Sequence, residues 1–190
     1  MNTRTIKKQS VLWFIILFSL LFSACSVKLV SVVSRDYNAE NKNILIVMSY
    51  HRHTKKIVET FEREFMLLAV NSKNKIDFFI IPPSMVSETD TLELNKVSDV
   101  RKVIDAKIAE VNADMVISIV AEHHKFVNND LTYVRYLATG RETVGRTEVW
   151  KSRIELNLGQ LPFTQSPMSK KMATEFYDKL VSDGIIQQKQ

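Results

Sequence analysis

Two spacings of apolar residues recur along this chain, and each predicts a different element. Ile44 to Met48 is an uninterrupted, branched run of strand length. Ile57, Val58, Phe61, Phe65 and Leu68 then recur every three or four residues, as on one face of a helix. Asp77 to Ile81 is a second strand run, which Pro82-Pro83 should stop. Val97, Val100, Ile104, Ile108 and Val111 again mark one helical face. Asp114 to Ala121 follows as a third strand, apolar on both sides and therefore expected inside a sheet.

After residue 121 the spacing changes. Leu131 to Ala138 and Thr147 to Leu158 read as strands joined by a turn region containing Gly140 and Gly145, which predicts an antiparallel hairpin. In the second strand Trp150, Ile154, Leu156 and Leu158 share one face while Lys151, Arg153, Glu155 and Asn157 share the other, so one side faces core and the other water. The final segment has helix signals at both ends: Ser166 as N-cap, Pro167 at the first helical position, and Gly184 as the stop. Its stripe is Met168, Met172, Phe176 and Leu180, and residues 187–190 are expected to fray. The order β-α-β-α-β-β-β-α predicts an α/β fold: a mixed sheet of about five strands packed against helices, in a single domain over residues 43–186.

The first residues say where such a domain would live. Arg4, Lys7 and Lys8 precede an uncharged run from Val11 to Ala24, and the chain's only cysteine, Cys25, follows. A basic start, a short apolar core and small residues before a cut are the layout of an export signal, and the core falls short of the roughly 20 apolar residues that span a bilayer. Residues 1–24 are therefore expected to be cleaved. Phe22-Ser23-Ala24-Cys25 resembles the lipobox of bacterial lipoproteins, which implies a diacylated Cys25, palmitate among its chains, as the new amino terminus. More than one chain is what stable anchoring requires. Ser26 in second place, where an aspartate would retain an enterobacterial lipoprotein in the inner membrane, favours the outer membrane and a domain facing the periplasm.

Residues 25–42 then read as the lipidated cysteine and a tether, which fully extended spans about 55 Å and would hold the domain clear of the membrane. Val27 to Val33 could instead pair as an edge strand. Of the formal net charge of +5, Arg4, Lys7 and Lys8 carry three, leaving +2 on the rest with mixed signs. That gives no argument for nucleic-acid binding, which normally shows a strong basic patch, and no nucleic-acid partner is expected.

The residues "NILIVMSY", "NADMVISIVAEHH", "TEVWKSRIEL" and "MATEFYDKLVSDGII" resemble a broad class of small bacterial envelope lipoproteins. Their folds are similar to the amino-terminal domain of the Tol system's periplasmic propeller protein, to lipoprotein activators of penicillin-binding proteins, and to the soluble domain of the curli-secretion lipoprotein. The resemblance implies a non-catalytic domain that binds other envelope components. "ILIVMSYH" also resembles the first strand of periplasmic substrate-binding proteins, whose two lobes are more than this chain supplies.

Candidate chemistry is confined to histidines. His51 and His53, two apart at a strand end, would share a face, and His123 and His124 would lie at the same sheet edge if the first and third strands are parallel neighbours. They are weak candidates for a metal, because no carboxylate or cysteine falls at a familiar ligand spacing, and no metal or other cofactor is assigned. There is no nucleophile elbow, phosphate-binding loop or dinucleotide fingerprint, and Glu59, Glu62 and Glu64 beside Arg63 read as a wet helix face. The strands of the hairpin are too charged for a membrane pore, with Lys151, Arg153 and Glu155 on one face. The leading expectation is a lipid-anchored protein, not an enzyme, that docks on another envelope protein or the cell wall; the alternative is a small-molecule or metal binder serving a transporter or sensor. The partner and any oligomeric state are not legible in these residues.

Overall fold

The computed structural model describes residues 25–35, 37, 42–81, 94–159 and 164–189. The expected signal (residues 1–24) and the expected strand stop at Pro82-Pro83 lie outside them. The strands are β1 (Ser26–Val33), β2 (Ile44–Ser49), β3 (Ile76–Ile81), β4 (Met115–Val127), β5 (Asp130–Glu142) and β6 (Glu148–Asn157). The helices are α1 (Lys55–Ala69), α2 (Leu94–Val111) and α3 (Gln165–Ser182). All six strands form one mixed sheet in the order β1-β6-β5-β4-β2-β3.

The apolar β2 sits inside that sheet because both its faces are covered. It pairs parallel with β3 and with β4, and α1 and α2 are the crossovers. Ile44, Ile46 and Met48 point into the larger core under α1 and α3, whereas Leu45 and Val47 point into a smaller one with Val111, Ala113 and the partly buried Val100, Ile104 and Ile108 of α2. The expected helical stripes face the core: Ile57, Val58, Phe61 and Phe65 on α1 and Met172, Phe176 and Leu180 on α3 are buried, while Leu68 and Met168 are partly buried against it. Trp150 lies under α3, edge-on to Phe176 with ring centroids 5.7 Å apart.

The strand count is six rather than about five because most of the expected tether is the edge strand β1. It pairs antiparallel with β6 from Ser26↔Asn157 to Val33↔Trp150. Val27, Leu29 and Val33 pack on the core, and Ser152 Oγ donates to the Val30 carbonyl at 3.0 Å. The connection to β2 is also held where it is described. The Tyr37 hydroxyl donates to Met115 Sδ at 3.1 Å, Lys42 pairs with Glu142, and Asn43 N–H donates to Asp114 Oδ2 at 2.8 Å. Burial, and next the charge of Glu142, push the Tyr37 phenol up to about 12. A tether that holds the domain well off the membrane is thus replaced by a strand that starts one residue after Cys25.

Two ends differ as well. Helix α3 begins at Gln165 rather than after Ser166, with Thr164 before it, whose hydroxyl bonds to the Leu158 carbonyl instead of capping the helix. Residues 187–189, expected to fray, are pinned to the α1–β3 connection: Gln187 N–H donates to Asn74 Oδ1 at 2.8 Å, Lys73 N–H to the Gln187 carbonyl at 2.7 Å, and Lys189 N–H to the Asn71 carbonyl at 2.8 Å. The backbone of a short tail satisfies its polar groups best by pairing, and Ser72 and Gln188 form an isolated antiparallel bridge here.

Candidate functional site

Three surface features among the described residues bear on what this fold can do. The first is Cys25 itself. Its half-buried sulfur is at the start of β1, where the thiol donates to the Leu158 carbonyl at 3.3 Å and lies beside Gly159. Gly159 has φ +65, and a Cβ built there would come within 3.1 Å of the sulfur, so this corner suits glycine both in conformation and in space.

The second feature is the end of the sheet where β2 and β4 point the same way. Because β2 and β4 are parallel neighbours, the two histidine pairs do lie at one edge. The reason differs from the strand argument, for β2 ends at Ser49 and His51 and His53 occupy the turn that feeds α1. That turn is closed around Thr54: the His51 carbonyl accepts the Thr54 N–H at 2.8 Å and its hydroxyl at 3.1 Å, and the His51 N–H donates to Thr54 Oγ1 at 3.0 Å. The turn stacks the rings of His51 and His53, centroids 5.5 Å apart and planes 17° from parallel.

Strand β4 continues past its β2 partner as an arm paired only with β5. A register shift between Ala121 and His123 sets the side chains that follow, so His123 is opposite Arg135 and His124 opposite the buried Val134. Neighbouring histidines therefore take opposite faces. His124 comes within 5.6 Å of the His51 ring, while His123 meets the Tyr133 ring at 6.1 Å. Phe126 closes the group, 4.9 Å from His53 and 5.6 Å from His124.

The structure thus brings together His51, His53 and His124 and leaves His123 out. Burial, and then the neighbouring charges of His51, His123 and His53, hold the His124 imidazole below its ordinary value, which keeps it neutral. Among the described residues no group of three or more His, Cys, Asp or Glu side chains is placed to hold a metal ion. Stacked rings do not aim their in-plane lone pairs at one point, and the Nε2 lone pair of His53 accepts the Arg52 Nε–H at 2.9 Å. What this group does chemically is latch the arm to the β2–α1 turn. The arm itself was missed from sequence, although Asn128-Asn129 signals it. Both residues have positive φ, 51° and 67°, as a two-residue hairpin turn of the I′ type needs, and asparagine tolerates that better than most side chains.

The third feature is the outer face of β1, β6 and β5. On the inner face α1 and α3 cover the sheet, but among the described residues α2 covers the outer face only over β2, β3 and Val116 of β4. Val30 and Val32 are left 57% and 72% exposed beside Leu137, in a shallow groove rimmed by Lys28, Lys151 and Arg153, with Glu155 as the acid among them. Acidic residues along α1 are on the wet side as expected: Glu59 pairs with Lys55, and Glu64 with Arg63 and Lys170. No helix among the described residues is long and apolar enough to cross a membrane.

No family model matches the chain, and no curated protein matches its sequence. Solved structures with a similar path include the PelC dodecamer from Paraburkholderia phytofirmans, at 11% identity and a TM-score of 0.46 over 86% of this chain and 100% of that one. The lipoprotein GNA1162 from Neisseria meningitidis is similar at 14% identity and a TM-score of 0.39, over 73% of this chain and 99% of that one. Protein XCC0632 from Xanthomonas campestris is similar at 7% identity and a TM-score of 0.32, over 78% and 86% of the two chains. These likenesses are too slight to carry a role from those proteins to this one.

Proposed function

We propose that this chain is a lipid-anchored, non-catalytic envelope protein whose domain binds another envelope component as a scaffold or accessory factor, with the outer membrane as its site. The observation that carries the reading is the face of β1, β6 and β5, which nothing covers among the described residues. Val30 and Val32 are exposed on this face beside the half-buried Leu137, and contiguous apolar patches of this kind mark contact surfaces. The rim of Lys28, Lys151 and Arg153 against one Glu155 suits a protein partner with an acidic surface more than an uncharged glycan. Support for the anchor is the layout of residues 1–25 together with a half-buried Cys25 at the domain's edge.

The test is a photo-crosslinking residue at Val32, compared with one at Val144 on the β5–β6 turn, in living cells. A single dominant protein adduct at Val32 that is absent at Val144 and weakened by Lys28→Glu with Lys151→Glu supports the reading. No adduct, or the same adducts at both positions, counts against it.

The convergence of His51, His53 and His124 favours a second reading, a periplasmic metal or small-molecule binder. It requires the turn to open and His53 to give up Arg52. Zinc titration of the chain against His51→Ala with His53→Ala tests it: identical isotherms would leave it without residues.

A further inference from the structure

The registers place the tip of the β4–β5 arm at the anchored end of the molecule. Ser26, next to Cys25, is level with Asn157 of β6; Asn157 is level with Tyr133 of β5, and Tyr133 with Lys125 of β4. Beyond that level the arm continues through Phe126, Val127 and the Asn128-Asn129 turn, about 10 Å further along the strand direction. Hairpin tips are ordinarily polar, yet Phe126 and Val127 are 40% and 41% exposed here. The β2–α1 turn points the same way and brings Arg52 and Lys56 to this end, with Lys125 on the arm; of the nearby acids among the described residues Glu59 pairs with Lys55 and Glu122 with Arg135, which leaves Asp130.

We propose that this tip touches the membrane: Phe126 and Val127 enter the headgroup region of the phospholipid surface that holds the acyl chains of Cys25, and Lys125 and Arg52 meet its anionic phosphates. The proposal rests on the lipid anchor proposed above and adds an orientation to it. An anchor with no tether brings the β1 start against the bilayer, and the one part of the described sheet that projects past that level carries the exposed apolar pair and a net basic surround. Acyl chains and tip are then two contacts about three strand spacings apart, roughly 14 Å. Two contacts fix the tilt of a domain where an acyl anchor alone lets it swivel. With the Asn128-Asn129 end down, the opposite end of the sheet, where Val144 is 86% exposed, faces away from the membrane.

The experiment uses the full chain purified from membranes with its native amino terminus. Phe126→Trp and, as control, Val144→Trp are each reconstituted into vesicles of phosphatidylethanolamine with phosphatidylglycerol, or of phosphatidylcholine, bearing bromine on the acyl chains. The mature chain's own tryptophan, Trp150, is buried and contributes a constant background. Expected is quenching of the tryptophan at 126 and not at 144, stronger in the anionic vesicles, with Lys125→Gln lowering the docked-to-free ratio about fivefold. Equal quenching at both positions, or none at 126 in a protein whose intact mass shows acyl chains, overturns the proposal while leaving the anchor in place. A tryptophan at 126 that is shielded from iodide without lipid, increasingly so with protein concentration, assigns the tip to a second copy of the chain and also overturns it. An intact mass without acyl chains removes the anchor itself, and the orientation with it.

Discussion

Asp183 should hold the edge strand to the rest of the domain. Just past the end of α3, its Oδ2 accepts the Trp150 indole N–H at 2.9 Å and the Ser31 hydroxyl, and its Oδ1 accepts Lys179 Nζ at 2.7 Å. One carboxylate thus ties β1, β6 and α3 together. In Asp183→Ala the Trp150 N–H, in a side chain 1% exposed, loses its acceptor, which costs about 1–3 kcal/mol. The Ser31 bond adds about 1 kcal/mol and the more exposed Lys179 pair a few tenths. The expected loss is about 2–4 kcal/mol, and Asp183→Asn, which keeps an oxygen but not the charge, should lose about half of that.

Equilibrium urea unfolding of residues 26–190 by far-ultraviolet circular dichroism reads this as a lower midpoint at unchanged slope. Burial of Asp183 raises its affinity for a proton, but hydrogen bonds from Lys179, Ser31 and Trp150 outweigh that and hold the carboxyl below its ordinary value. A folded value below the unfolded one means that the contribution is complete above the ordinary carboxylate range and is lost as pH falls through that range toward the folded value. The wild type should therefore lose more stability on acidification than either variant. A loss under about 0.5 kcal/mol for Asp183→Ala, or parallel acid profiles, would refute the reasoning.

Gly140→Ala should destabilise by about 1 kcal/mol in the same assay, because in a packed core its Cβ would lie 3.2 Å from Trp150 Cβ and the end of the Met115 side chain would have to swing aside; an unchanged midpoint contradicts this. Tyr177→Phe should be neutral or stabilising by up to about 1 kcal/mol, since among the described residues the buried hydroxyl has no hydrogen-bond partner; a clear loss of stability would show that it has one. With its folded value below the unfolded one, neutral His124 supports the arm above about pH 6.5 and ceases to as pH falls below it, so amide exchange in residues 120–134, taken relative to the intrinsic rate at each pH, should quicken as pH falls below about 6.5. In His124→Gln that acceleration should be absent, and exchange with the same pH profile in both would sink the latch.

Much of the fold was legible because local spacing and tertiary burial agree. The three- and four-residue stripes of α1 and α3 face the core, and the uninterrupted apolar run of β2 and the apolar-on-both-sides reading of β4 match strands with neighbours on both sides. The edge strand was only half legible. Val30 and Val32 are apolar on its outward face, so the run from Val27 to Val33 lacks the alternation that marks a half-buried strand. The arm was hidden for the opposite reason. His123, His124 and Lys125 look like the wet end of a strand, and only pairing with β5 shows that the strand continues. The meeting of His51 with His124 depends on the β2–β4 register and on a bulge, neither of which is written locally in the chain.

The lipid anchor at Cys25 underlies both proposals, and its most direct measurement is the intact mass of the protein extracted from membranes, beside Cys25→Ala. It predicts a chain that begins at Cys25 and carries acyl groups, with the variant lost from the membrane fraction or left uncleaved. An unmodified Cys25, or a wild type and a variant that partition and weigh alike apart from the substitution, would contradict it.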